Sequence, residues 1–179
     1  NQWILEDRSK ILEDIESSLN NYGYAVVMMH PPDFSVNDLG VYRNQVDQNN
    51  LEELSLLIDD IKNLGLEIVP ISQINRDSNI VQTKIPKDNN CNCVAFTIEG
   101  IQDYWLNDVQ LEILNTFTKT KTDLTVGIIA NYFGEDEKLL DSFNAALNDK
   151  SSEIEVANNG WKYEDFGKLD LNEQITLIQ

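Results

Sequence analysis

Five short apolar runs, separated by segments of helical periodicity, constrain the fold of this chain more than any other feature of its sequence. The runs begin near residues 24, 66, 93, 124 and 154. Strands that alternate with amphipathic helices must run parallel, joined by right-handed helical crossovers. The sequence therefore predicts an α/β fold: a parallel sheet of about five strands flanked by helices, either flavodoxin-like or a partial (β/α) barrel.

Start and stop signals delimit the predicted helices. The first helix is expected to end before Gly23, since glycine tolerates the left-handed conformation that commonly ends a helix. Three starts are predicted by a capping residue followed three positions later by an acid or amide: Asn50 with Glu53, Asn107 with Gln110, and Asp170 with Glu173. Residues 135–147 predict a further helix, and the stretch before Asn50 predicts a polar loop.

Charge and length exclude several classes of function. The chain of 179 residues carries 31 acids against 13 lysines and arginines, a formal charge of −18 that repels phosphate backbones. Nucleic acid is therefore excluded as a partner, and no apolar run is long enough to span a membrane. The length predicts a single domain over residues 1–179, with a polar linker at 76–92.

The two cysteines, Cys91 and Cys93, are separated by a single residue. In an extended strand such neighbours hold their Cα atoms about 7 Å apart, which strains a mutual disulfide. The sequence predicts instead that each is a buried free thiol or pairs with a partner outside this chain.

Polar and aromatic residues follow the predicted strands. They are His30-Pro31 after the first, residues 99–105 after the third, Asn131-Tyr132 after the fourth and residues 158–163 after the fifth. The carboxyl ends of parallel strands meet at one edge of a sheet, where ligands bind. We therefore expect these residues to share one edge. The alternative for Glu99 and Asp103 is that they are ordinary solvated acids of a loop.

Motifs at these strand ends resemble the polysaccharide deacetylase (NodB-homology) family. Phe96-Thr97-Ile98-Glu99-Gly100 lies where that family has an Asp-Asp motif, and Asn158-Asn159-Gly160-Trp161-Lys162-Tyr163 lies where it has two histidines four residues apart. Met29-His30-Pro31 resembles its late histidine motif, and Gln102-Asp103-Tyr104-Trp105 and Glu164-Asp165-Phe166 resemble its flanking sequences. The resemblance covers most of residues 10–75 and 93–179.

The resemblance implies a deformed (β/α) barrel that hydrolyses acetyl groups on polysaccharide with a divalent metal such as Zn²⁺. Its general base corresponds to Glu99 and its general acid to His30. The metal positions, however, carry Gly100, Asn159 and Tyr163, which are poor ligands or none. We therefore expect no metal cofactor.

The order of the two halves also departs from the family. Residues 1–75 resemble the C-terminal half of a deacetylase, and residues 93–179 resemble the N-terminal half. Either the unit is permuted, or it spans the end of one repeat and the start of the next. An incomplete barrel exposes strand edges, so we expect a homodimer or a neighbouring repeat to cover them.

These features predict a deacetylase-like protein without catalysis that acts as a carbohydrate-binding or structural module. The candidate glycan contacts are Asp103, Tyr104, Trp105, Trp161 and Tyr163. Aromatic faces stack on sugar rings, although they also pack the rims of sheets. The alternatives are an active deacetylase that uses Glu99, Asp103 and His30, or an assembly domain without ligand. The resemblance implies an extracellular or cell-surface location.

Overall fold

A computed structural model describes residues 8–74, 91–162 and 164–178, and the predicted alternation of strands and helices is confirmed. The helices are α1 (Arg8–Tyr22), α2 (Gln48–Asn63), α3 (Asn107–Thr120), α4 (Glu137–Asn148) and α5 (Leu171–Ile178). The strands are β1 (Tyr24–Met29), β2 (Ser35–Asp38), β3 (Val41–Val46), β4 (Glu67–Ile68), β5 (Cys93–Ile101), β6 (Leu124–Ile128) and β7 (Ile154–Asn158). Among the described helices, none has the length and apolar content needed to cross a membrane.

The main sheet is parallel, with the spatial order β1, β5, β6, β7, and the short strand β4 pairs with the amino end of β5. Met29 pairs with Ile98, and Ile128 pairs with Asn158. This register brings the carboxyl ends of β1, β5, β6 and β7 to one edge, as the sequence predicts. In the described residues β1 and β7 each pair on one side only, so the sheet is open.

One face of the sheet carries the main core. Alternate residues of β1, β5 and β6 pack there against the apolar sides of helices α1 to α4. Phe96 of β5 meets Phe117 of α3 edge to face, with ring centroids 5.4 Å apart, and both rings are fully buried. Burying each such side chain contributes about 1.5–3 kcal/mol. Helix packing against this face is therefore what fixes the strands relative to one another.

The opposite face is covered at its amino end by the chain that follows β4. Val69 and Ile74 pack on Cys93 and Ala95 in a second, smaller apolar cluster. The amide of Ile71 donates to Oγ1 of Thr125 in β6 at 2.9 Å. Residues 69–74 therefore lie across β5 and β6.

The edges of the sheet are the outer sides of β1 and β7. On β1, Val26 and Met28 are exposed on the face opposite the core, while the alternate residues of the strand are buried in the core. Val156 of β7 is exposed as well. Cover of these edges by a second copy or a neighbouring repeat stays a prediction.

A β-hairpin of β2 and β3 replaces the polar loop that the sequence predicted, so that prediction was wrong. The two strands are antiparallel and are joined by Leu39 and Gly40, both with positive φ, at 52° and 87°. The residues of β3 are almost all exposed. β3 therefore shows no hydrophobic alternation, and the hairpin is held by backbone pairing and by polar contacts such as that of Oγ of Ser35 with the carbonyl of Arg43 at 2.6 Å, which apolar patterning does not reveal.

The helix caps were predicted with mixed success. Asp47, not Asn50, caps α2, and its Oδ1 accepts from the amides of the two residues after Gln48 at 3.1 and 3.2 Å. Glu53 therefore has no capping role and instead pairs with an arginine of α1 at 2.7 Å. The pairing of Asp170 with Glu173 is confirmed, because each side chain accepts from the other's amide, at 2.9 and 3.0 Å.

The prediction for the cysteines was wrong, because Cys91 and Cys93 form a disulfide with each other. Asn92 between them has a φ of +49°, so the chain turns instead of extending. The Cα atoms are consequently 5.1 Å apart, within the range that a disulfide spans. Most of the predicted linker, residues 76–90, lies outside the described residues.

Replacing Leu39 with asparagine is expected to stabilise the protein. Leu39 is fully exposed, so no burial is lost, and its left-handed backbone suits asparagine far better than leucine. We expect Leu39→Asn to raise the free energy of unfolding by about 0.5–1 kcal/mol in urea titrations. Leu39→Ala is the control, because alanine keeps the backbone penalty. Equal stability of the two variants would contradict the prediction.

Candidate functional site

The structure brings several of the predicted residues to the carboxyl edge of the sheet. His30 directly follows β1, Glu99 and Gly100 lie near the end of β5, and Asn159 directly follows β7. Since Met29 pairs with Ile98, His30 and Glu99 stand at the same level on neighbouring strands. Tyr163 lies outside the described residues.

A bulge shapes the end of β5. Two residues of β5, Glu99 and Gly100, stand opposite the single residue Gly127 of β6, because Ile98 pairs with Val126 and Ile101 with Ile128. Gly100 has a φ of +81°, a conformation that other residues seldom adopt. A Cβ added there would meet nothing within 4 Å. Glycine is therefore favoured by the backbone conformation and not by a lack of space for a side chain.

Gly127 lies between Glu99 and Asn159. A Cβ added at Gly127 would stand 3.3 Å from Cβ of Asn159 and 3.5 Å from Cα of Glu99. The absence of a side chain at Gly127 thus lets the ends of β5 and β7 approach each other across β6. Glu99 and Asn159 are both half-buried there, so they belong to one local site.

His30 is paired with Asp33 in the turn after β1. The amide of His30 donates to Oδ2 of Asp33 at 2.7 Å, and Nδ1 of its ring lies 3.7 Å from the same oxygen. Burial raises the pKa of Asp33, and the amide hydrogen bond and the charge of His30 oppose that rise less strongly. The imidazole is 43% exposed at the rim of the sheet.

Gln110 holds the loop that follows β5, a role that the sequence did not predict. We expected it to cap α3 together with Asn107, but Leu106 occupies the cap position and Gln110 faces inward, 2% exposed. Its Oε1 accepts from the amide of Gln102 at 3.0 Å, and its Nε2 donates to the carbonyls of Gln102 and Trp105 at 2.9 and 2.5 Å. These bonds fix residues 102–105. In the sequence, the only sign of this role was a glutamine within the first turn of a predicted helix.

Asp103 and Tyr104 tie this loop to the loop after β6. Oδ2 of Asp103 accepts from the amide of Glu135 at 2.6 Å, and the amide of Asp103 donates to the carbonyl of Tyr132 at 2.7 Å. The hydroxyl of Tyr104 donates to the carbonyl of Glu135 at 2.9 Å. Asp103 is therefore a structural acid, in contrast to the solvated acid considered as an alternative.

The loop after β7 joins the same surface. The amides of Ala130 and Asn131 donate to the carbonyls of Gly160 and Trp161 at 3.1 and 3.0 Å. The three loops after β5, β6 and β7 thus form one hydrogen-bonded surface.

The aromatic candidates differ in exposure on this surface. Tyr104 is 70% exposed and Trp161 is 45% exposed. Trp105 packs partly against the core, so its ring mainly supports the rim. Tyr104 and Trp161 therefore offer the accessible aromatic faces.

The surroundings of Tyr104 are negatively charged. The pKa of its phenol is raised mainly by partial desolvation. Four nearby negative charges raise it further, those of Asp136, Glu135, Asp103 and Glu137. Lys138 follows Glu137 in α4, but its ammonium group forms an ion pair with Asp108 at 3.1 Å. The electrostatic potential at Tyr104 is therefore negative.

Comparison of the chain with protein-family models, with curated proteins and with solved structures found no match. The resemblance to polysaccharide deacetylases therefore stays a prediction based on the strand-end motifs. Within the described residues, no group of three or more histidine, cysteine, aspartate or glutamate side chains is arranged to hold a metal.

Replacing Gln110 with alanine is expected to loosen the loop that carries Tyr104. The change removes three hydrogen bonds to the backbone of Gln102 and Trp105, which costs about 2–3 kcal/mol of unfolding free energy. Chemical denaturation measures the loss. Gln45→Ala, on the exposed strand β3, is the control and should change stability by less than about 0.5 kcal/mol. Similar effects of both changes would contradict the role given to Gln110.

Proposed function

We propose that this chain is a catalytically inactive relative of the polysaccharide deacetylases that binds carbohydrate at the carboxyl edge of its sheet. One observation carries the proposal. Tyr104 and Trp161 are exposed on two loops that are each hydrogen-bonded to the loop after β6. Exposed aromatic rings on a fixed backbone are suited to stacking against sugar rings.

Preorganisation strengthens this argument. Tyr104 has a φ of +56°, which is unfavourable for tyrosine, and its hydroxyl is anchored to the next loop. A side chain already ordered in the free protein loses little entropy on binding. The strained backbone at an exposed ring supports a binding role for Tyr104, because strain of this kind concentrates at functional sites.

The absence of catalysis is inferred from the residues at the ligand positions. The resemblance requires an aspartate and two histidines, and this chain has Gly100, Asn159 and Tyr163 there. Gly100 supports the bulge of β5 by its positive φ, so an aspartate at this position would strain the backbone. Loss of the Lewis acid removes several kcal/mol of transition-state stabilisation, as a rough expectation.

An extracellular or cell-surface location agrees with this proposal. The disulfide of Cys91 with Cys93 supports it, since structural disulfides persist mainly in oxidising compartments.

Glycan binding tests the proposal. Titration calorimetry with chitooligosaccharides should detect binding, and Tyr104→Ala and Trp161→Ala should each weaken it about threefold to tenfold through the loss of one stacking face. Tyr22→Ala is the control, because Tyr22 is an exposed tyrosine at the end of α1. Binding unchanged in both site variants, or no binding at all, would favour the structural or assembly role instead.

An active deacetylase is the second candidate. It is favoured by the position of His30, which lies beside Glu99 at the ends of the neighbouring strands β1 and β5. In that case the carboxylate of Glu99 would accept the proton of an attacking water, and His30 would protonate the leaving group. We expect no acetate release from acetylated chitooligosaccharide. Release that disappears in both Glu99→Gln and His30→Asn, with binding retained, would establish this candidate and refute the inactive one.

A further inference from the structure

The disulfide between Cys91 and Cys93 closes a loop over a single residue, Asn92. In the chain-entropy model a disulfide stabilises a fold by restricting the unfolded chain, and this effect grows with the length of the closed loop. A loop over one residue restricts the unfolded chain little. Stabilisation of the fold is therefore a weak reason for this cross-link.

The cross-link holds the backbone in an unfavourable conformation. Asn92 has a φ of +49°, in the left-handed region that residues with a side chain seldom adopt. An extended chain would hold the two cysteines about 7 Å apart, whereas their Cα atoms lie 5.1 Å apart. Breaking the sulfur–sulfur bond would let this segment relax towards the extended conformation of β5. Strained and exposed disulfides are the ones that exchange readily with thiols.

The two sulfur atoms differ in access. Cys91 is exposed, whereas Cys93 is fully buried and packs with Val69, Ile74 and Ala95 in the smaller apolar cluster. A thiolate breaks a disulfide by direct attack on one of its sulfur atoms, so access decides which sulfur is attacked. An incoming thiolate therefore reaches Sγ of Cys91, and Cys93 is the leaving group.

The fold also accommodates the reduced pair. Sγ of Cys91 lies 3.8 Å from the carbonyl oxygen of Gly23, which would accept a weak hydrogen bond from a reduced thiol. Reduced Cys93 would stay in its apolar cluster, where a free cysteine packs as a small apolar side chain. The amide of Asn92 donates to the carbonyl of Gly23 at 2.8 Å, a bond that does not depend on the disulfide. Both redox states are thus compatible with the same fold.

We propose that Cys91 and Cys93 form a thiol–disulfide exchange site whose substrates are thiols. In the first step a thiolate attacks Sγ of Cys91, so that a mixed disulfide forms, the bond between the two cysteines breaks and Cys93 takes up a proton. In the second step another thiolate attacks the substrate sulfur of the mixed disulfide and releases Cys91, which is protonated in turn. Two substrate thiols are thereby oxidised to one disulfide, and the same two electrons reduce the protein disulfide to two thiols.

This site is separate from the proposed carbohydrate surface. The cysteines lie at the amino end of β5, whereas the aromatic residues lie at the carboxyl edge of the sheet. The inference therefore does not rest on the proposed function. An oxidising compartment would keep the pair in the disulfide form, ready to accept electrons from thiols.

Reduction by glutathione without denaturant tests the site. The wild-type protein is incubated with about 5 mM reduced glutathione at about pH 8, quenched with acid, unfolded and labelled at its thiols. Mass spectrometry should show two labels per molecule, and an excess of oxidised glutathione should restore the unlabelled disulfide form. The circular dichroism spectrum should be the same for both forms, because reduction leaves the fold intact. Loss of the folded spectrum on reduction would show a purely structural disulfide and overturn the inference.

Urea separates exchange from unfolding. Below the unfolding transition the rate of reduction should change by less than about twofold, because Cys91 is accessible in the folded protein. A disulfide that is exposed only when the fold opens would instead be reduced faster as urea is added. Such a dependence on urea, or the absence of reduction in the folded protein, would contradict the proposal.

Two matched variants test the roles of the sulfur atoms. Cys93→Ser leaves Cys91 as a single exposed thiol, and Cys91→Ser leaves Cys93 as a single buried thiol. With oxidised glutathione, Cys93→Ser should form a mixed disulfide at least about a hundredfold faster than Cys91→Ser, since a buried thiol reacts only when the fold opens. Equal rates would refute the assignment of Cys91 as the attacked sulfur. The measurements on the wild-type protein decide the proposal if either variant fails to fold.

Discussion

The parallel pairing of β5 is the constraint on which the rest of the structure depends. This strand pairs with β1 on one side and with β4 and β6 on the other, and its residues from Cys93 to Ile98 are buried on both faces. A strand with this environment must be almost wholly apolar, as its sequence is until Glu99. The change to polar residues at Glu99 therefore marks the point where the strand leaves the core and the site begins.

Beyond that point, hydrogen bonds replace apolar packing as the source of order. Gln110 fixes the loop after β5 by three bonds to backbone groups, and Asp103 joins it to the loop after β6. Such bonds are strong only where water is excluded, which explains why Gln110 is almost fully buried. The exposed ring of Tyr104 thus lies on a loop that Gln110 and Asp103 hold in place.

The strands, the main helices and their common edge could be predicted from sequence, because burial imposes periodicity on the residues. The hairpin around Leu39 could not, since the residues of β3 are almost all exposed and polar contacts such as Ser35 with the carbonyl of Arg43 help to hold it. The disulfide could not be predicted from the spacing of the cysteines, because an extended chain holds them too far apart and the left-handed backbone of Asn92 brings them together. The hydrogen bonds from Gln110 to the loop after β5 could not be predicted, because helix caps and loop contacts use the same residue types.

Gly100 links the backbone of the site to its chemistry. The bulge of β5 sets two residues opposite Gly127. The bulge requires a positive φ at Gly100, a conformation that glycine adopts readily. An aspartate at this position would have to hold the same positive φ, which is strained for a residue with a side chain. The loops that carry Tyr104 and Trp161, by contrast, are fixed by their own hydrogen bonds. The binding that we propose therefore rests on these hydrogen-bonded loops and not on the residue at Gly100.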